Sequence, residues 1–214
     1  MVKNKIEIKN HQKGIKLSQK DKLLIHLIEN KNPQSIMALS GSIAVDYKNT
    51  YNIINNIINV SKPEIISKEK IGNTNLIKIN LVPNQEIYSV ENKRTEQFLS
   101  KHPALNVVKK YAEELNYPFL VVLVFGSYVK DTKTESSDID ICIISDNKDK
   151  TKELHEKLRL LSLKLEIHDF TSKEFISMIE KTQNNLGHEI IKSNIILYGI
   201  ENYYNLISKW MKKE

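Results

Sequence analysis

The chain of 214 residues has a single cysteine, Cys142, so no disulfide can close within it. No apolar run approaches the length of a membrane span. The opening MVKNKIEIKNHQKG has no apolar core of signal-peptide length, so a cytoplasmic location without a membrane partner is the default expectation. Arginine is missing before Arg94, which removes the commonest bidentate reader of guanine from the first part of the chain. Glycine is scarce, at six residues, so one placed at the end of a buried strand is there for its backbone geometry.

Lysine, isoleucine and asparagine are plentiful instead. The net charge is +6, and all of it falls in the first part of the chain. Residues 1–90 hold 13 Lys against 7 acidic residues, whereas residues 91–214 hold 19 basic and 19 acidic. Such an asymmetry points to a polyanion partner for the first part, with a solvated lysine-rich face as the ordinary alternative.

Segment 18–81 carries clear periodicity. Ser18 and Asp21 can form a capping box ahead of Leu23, Leu24, Leu27 and Ile28 at helical spacing. Asn32-Pro33 ends that helix. A second short helix is expected from Gln34 to about Leu39, ending near Gly41. Asp46 can cap a third, bearing Tyr51, Ile54, Ile57 and Ile58 on or near one face. Two strands then meet around Gly72-Asn73. Three helices followed by a hairpin is the order of a winged helix-turn-helix, a module that also serves protein interaction and dimerisation. On the DNA-binding reading, Tyr47, Lys48, Asn49, Thr50 and Asn52 face a major groove, and Lys68 and Lys70 on the hairpin approach phosphates. Residues 82–102 read as a polar connector, followed by a helix from Pro103 to Leu115.

The stretch that organises the rest is FGSYVKDTKTESSDIDICII, residues 125–144. An apolar strand ends in Gly126-Ser127, where the backbone can approach a ligand and following amides can face an anion. A later strand puts Asp138, Asp140 and Cys142 on one face and Ile139, Ile141 and Ile143 on the other. Two carboxylates side by side repel unless a cation lies between them, and such hard oxygen ligands suit Mg²⁺. The next apolar strand, LEIHDF, puts Glu166 and His168 opposite Leu165 and Ile167.

Gly126-Ser127, ten residues, and Asp138-Ile139-Asp140 resemble the signature of the DNA polymerase β-type nucleotidyltransferases. They are most similar to the minimal nucleotidyltransferases of prokaryotes, which include antitoxins that transfer AMP to a partner toxin. Where many members carry a glycine after the serine, this chain has Asp131. The resemblance implies a nucleoside triphosphate substrate, ATP in the antitoxin case, and two Mg²⁺ ions held by Asp138 and Asp140. It implies Gly126 and Ser127 against the triphosphate, and a third carboxylate, Glu166 by parity with Asp169 as alternative. A separate HEPN-type toxin is the implied partner protein. Leu186–Lys192 as a helix, Ile195–Tyr198 as a strand and a final tyrosine-bearing helix resemble the usual end of such domains. Tyr198, Tyr203, Tyr204 and Trp210 are expected to pack there.

The expected fold class is therefore α+β. A winged helix domain over residues 1–90 precedes a nucleotidyltransferase domain over residues 91–214, whose mixed sheet has helices on one face. The rival expectation is a DNA-binding regulator whose second domain senses nucleotide or partner without turnover.

Overall fold

The computed structural model describes residues 15–134 and 137–211, with side chains through residue 208. The opening stretch 1–14, with its share of the basic excess, and the Trp210 side chain lie outside the described residues.

The first helix, α1 (Gln19–Glu29), starts on the expected capping box: Ser18 Oγ accepts from the Asp21 amide at 3.1 Å, and Asp21 Oδ2 accepts from the Ser18 amide at 2.9 Å. A two-residue strand β1 (Gln34–Ser35) leads into α2 (Ile36–Ile43). This helix runs through Gly41 rather than ending there, because Leu39 and Ile43 bury one face and Ala44 takes the left-handed terminal conformation. Asp46 caps α3 (Tyr47–Val60) through the Asn49 amide, and Ile54 and Ile57 face inward. Strands β2 (Ile66–Ile71) and β3 (Thr74–Ile79) turn at Gly72, and the sheet order is β1-β3-β2, all antiparallel.

The expected polar connector is instead a 17-residue helix, α4 (Gln85–Lys101). It buries Ile87, Val90, Phe98 and Leu99, together with the polar Glu91, Arg94 and Thr95. The low hydrophobicity that suggested a linker comes from these buried polar residues, which find partners in other elements. Arg94 Nη1 donates to Glu91 Oε2 at 2.6 Å, Arg94 Nη2 to the Asn194 carbonyl at 3.1 Å, and Thr95 Oγ1 to the Ile196 carbonyl at 2.7 Å. The residue-90 division falls inside this helix.

After α5 (Asn106–Glu114), the chain builds a four-stranded sheet from β4 (Val121–Phe125), β5 (Ile139–Ile144), β6 (Leu165–Phe170) and β7 (Asn194–Tyr198). The order is β6-β5-β4-β7, with β5 and β6 parallel and the other pairs antiparallel. Helices α6 (Lys148–Arg159), α7 (Ser172–Ile179), α8 (Leu186–Lys192) and α9 (Ile200–Met211) complete the fold. Asn147 caps α6, and Thr171 caps α7 in a box with Glu174.

The expectation of helices on one face is corrected. Ile139, Ile141 and Ile143 pack with Val108 of α5 and Leu154 of α6 on one side. Leu123, Phe125 and Cys142 pack with Phe175 of α7, Ile190 of α8 and Tyr204 of α9 on the other. That second core is continuous with Leu23, Leu27, Ile54 and Ile77 of the N-terminal elements. Strands apolar on both faces require cover on both, and the tail helices supply it. Among the described residues, no helix is long and apolar enough to cross a membrane.

Glu91 and Arg94 are 1% and 5% exposed, and Tyr204 donates its hydroxyl to Glu91 at 2.6 Å. Removing one member of a buried ion pair strands the other charge, at a cost of about 3–5 kcal/mol. Arg94→Met is therefore expected to lower urea stability by about that amount. Glu91→Leu with Arg94→Met is expected to lower it less, since no charge is left alone. A double variant no more stable than the single one would contradict this.

Candidate functional site

The site forms where β4 ends. Gly126 has φ of +71°, the left-handed region that glycine enters freely, and opens a short 3₁₀ turn over Gly126–Tyr128. A side-chain carbon on Gly126 would collide with the Asp140 carboxylate. The room this glycine provides is thus taken by the aspartate of the neighbouring strand, at the paired position Phe125↔Asp140. Ser127 is half-buried in the turn, and its carbonyl accepts from the Thr132 amide at 3.1 Å. Asp131 stands near where many of the nucleotidyltransferases that the motif resembles carry glycine, and its φ is +56°. Aspartate tolerates this region better than most side chains, so the turn keeps a glycine-like backbone without glycine.

The parallel register sets Asp140 directly beside Glu166 and Cys142 beside His168. Ligand atoms of Asp140, Glu166 and His168 lie within 4.8 Å of one another. The Glu166 carboxylate and His168 Nε2 are 3.4 Å apart, and the His168 ring sits against Phe125. Asp138 precedes β5, is exposed, and lies outside this three-way cluster. Burial, then Glu166, raises the Asp140 carboxyl above its ordinary value; His168 opposes this, while Glu189 and Asp138 add to it. A carboxylate held among other carboxylates is short of positive charge, and a divalent cation would supply it. Asp140, Glu166 and His168 fit such an ion, with Asp138 close enough for its charge to be felt at Asp140.

Asp169 faces away from this cluster, toward His155 at 3.4 Å, as its parity with Ile167 requires. Two neighbours of the cluster carried no signal in the sequence. Lys130 of the turn pairs with Glu189 of α8 at 2.5 Å, and both sit beside the cluster's approach. Their contact joins residues 59 positions apart in the chain, which no local periodicity signals. His168 shared a face with Glu166, and that parity was its signal.

The candidate DNA-facing residues separate. Tyr47, Lys48, Asn49, Asn52, Lys68 and Lys70 are exposed. Thr50 is corrected: it is 0% exposed and donates its hydroxyl to the Asp46 carbonyl at 2.9 Å, because it points into the bundle beside Ile54. Asn49 Nδ2 is held by Asp46 Oδ2 at 2.6 Å. Tyr47 and Tyr51 stack at 6.4 Å between ring centres, and Lys68 lies 5.6 Å from the Tyr51 ring centre.

Residues 106–203 match the family model described as Polymerase beta, Nucleotidyltransferase. The match covers a little under half of the chain and includes the turn, both site strands and α8. It supports a nucleotidyltransferase domain there. No curated protein matches the chain.

Gly126→Ala is expected to displace Asp140 and abolish Mn²⁺ binding measured by paramagnetic relaxation. Gly72→Ala, at φ +59° with open space around it, is expected to keep that binding and cost about 1 kcal/mol of stability. Equal Mn²⁺ affinity in both variants would separate Asp140 from the metal.

Proposed function

We propose that the chain is a metal-dependent nucleotidyltransferase that moves a nucleoside monophosphate, AMP in the favoured case, from a triphosphate to an acceptor hydroxyl. The observation that carries this reading is Asp140, seated against Gly126 and paired in register with Glu166. The Ser127 hydroxyl and the amides of its turn would orient the triphosphate. Asp140, Asp138 and Glu166 would hold Mg²⁺, which when bound neutralises phosphate charge during transfer. Glu166 would take the proton of the acceptor hydroxyl as its oxygen attacks the α-phosphorus. The bond to the bridging oxygen then breaks and pyrophosphate leaves. The acceptor is read as a partner protein, a HEPN-type toxin by the resemblance.

The helix-helix-helix-hairpin order of residues 19–79, with the short strand β1, supports a winged helix. The exposed Tyr47, Lys48, Asn49 and Asn52 on α3, with Lys68 and Lys70 on the hairpin, support duplex DNA as its partner. One observation favours the rival reading of a nucleotide-sensing regulator: Asp138 stands outside the cluster, so a single metal position is the better built.

Glu166→Gln keeps shape and removes charge. It is expected to retain most Mg-ATP binding by calorimetry and to lose transfer of label from α-³²P-ATP to a partner protein. Asp138→Asn with Asp140→Asn is expected to lose both. Wild-type protein that labels no acceptor with Mg²⁺ or Mn²⁺ would decide for the sensor. Undiminished labelling by Glu166→Gln would remove Glu166 from the chemistry.

Lys68→Glu with Lys70→Glu in the full chain is expected to weaken duplex DNA binding about tenfold or more at low salt, on all sequences alike. The salt dependence of binding should flatten in step. A wild-type chain with no duplex affinity at low salt would leave the N-terminal elements to protein interaction.

A further inference from the structure

A cavity of about 310 Å³ lies where α1, α4, the Gly126–Tyr128 turn and the junction of α8 with β7 meet. Its wall includes Lys31, Arg94, Lys101, His102, Tyr128 and Lys192. None of these belongs to the Asp140, Glu166 and His168 cluster. Acidic groups reach the same wall as well. Glu91 is engaged by Arg94 and Tyr204, Glu29 is half exposed, and Asp131 is exposed on its turn.

Lys101 and Lys192 are exposed at the rim, and Lys31 is half-buried. Lys31, Lys101 and Lys192 have no carboxylate partner among the described residues. The Lys31 ammonium donates to the Lys192 carbonyl at 3.0 Å, and its remaining hydrogens have no acceptor among the described residues. Burial, then the neighbouring Arg94, pushes this ammonium down to about 8, with Glu91 and Glu29 opposing. A group that burial and a neighbouring guanidinium make costly to keep charged becomes easier to keep charged beside an anion. The volume sits at the small end of the roughly 300–1,000 Å³ range of ligand pockets, enough for a phosphate chain and too small for a duplex.

We propose that this junction cavity is a second anion site, which takes a phosphate chain, free or carried by a nucleotide, without a metal ion. The ligand would touch Lys31 just after α1, Lys101 on α4 and Tyr128 in the turn that follows Gly126. It would thereby join the N-terminal elements to the turn through direct contacts. The site does not depend on the transferase reading, since its cations are separate from the acidic cluster.

The test is calorimetry on the full chain in EDTA, with inorganic tripolyphosphate and ATP as probes. Chelation leaves the acidic cluster without a cation, so binding there is disfavoured. Saturable binding of one equivalent is expected, weakened tenfold or more by Lys31→Gln, largely kept by Lys31→Arg, and unaltered by Asp140→Asn. Tripolyphosphate equal to ATP would identify a free phosphate chain, and ATP tighter by tenfold would identify a nucleotide. No binding of either probe at millimolar concentration would overturn the proposal, as would full affinity in Lys31→Gln. If Lys31→Gln fails to fold, Lys101→Gln with Lys192→Gln decides in its place, on the same tenfold criterion.

Discussion

The buried contact between Arg94 and Glu91 is the constraint from which the architecture follows. A guanidinium and a carboxylate taken out of water need every remaining donor and acceptor satisfied. Glu91 gains Tyr204 from α9, and Arg94 gains the carbonyl of Asn194 at the start of β7. Asn194 in turn donates to Tyr203 at 2.9 Å and to the Ile190 carbonyl at 2.7 Å. Burial first, and then Glu91, pushes the Tyr204 hydroxyl well above its ordinary value, so it remains a proton donor to that carboxylate. One helix turn thus fixes α8, β7 and α9 together. The same helix holds α1 through Lys93 and Asp21 at 2.7 Å, where Lys93 and Ser18 outweigh burial and keep the Asp21 carboxyl low.

That fixation reaches the site through β7. Asn194 pairs with Phe125, the residue before Gly126, and Phe125 pairs with Asp140 on its other side. The turn, the carboxylate and the buried arginine are therefore neighbours across three strands. A cluster of candidate metal ligands needs support to hold its geometry within about half an ångström. Here the backbone hydrogen bonds of the sheet provide it, and the Lys130–Glu189 pair lies at the surface nearby. Within the cluster, burial and Glu166 disfavour the Asp140 charge while His168 favours it.

What was legible in the sequence was whatever repeats with a short period or depends on one residue. Strand parity separated Asp140 from Ile139 and Ile141, set Glu166 and His168 together, and sent Asp169 to the other face. Capping residues located α1 and α3. Gly72 and Gly126 each marked a turn where φ is positive. What was not legible depended on long-range partners. Helix α4 looked like a linker because Glu91, Arg94 and Thr95 are polar, and nothing local announces that Tyr204, Asn194 and Ile196 will satisfy them. Thr50 was a groove candidate by its place at the start of the third helix, yet its hydroxyl returns to the Asp46 carbonyl and the side chain is buried.

The two halves consequently share more than a tether. A flexible linker would let the N-terminal elements and the sheet move independently, and occupancy of one would be invisible to the other. Here α4 contributes to both halves, and one core runs from Leu23 and Ile54 to Leu123 and Tyr204. Separating them would expose those side chains, at roughly 1.5–3 kcal/mol for each large one fully uncovered. It would also strand Arg94 between Glu29 and the Asn194 carbonyl. Relative motion of the halves is thus confined to small adjustments at their seam. The seam is where Lys31, Arg94 and Lys192 line a cavity, and where α4 ends in Lys101 beside Tyr128. A ligand held there would touch elements of both halves at once.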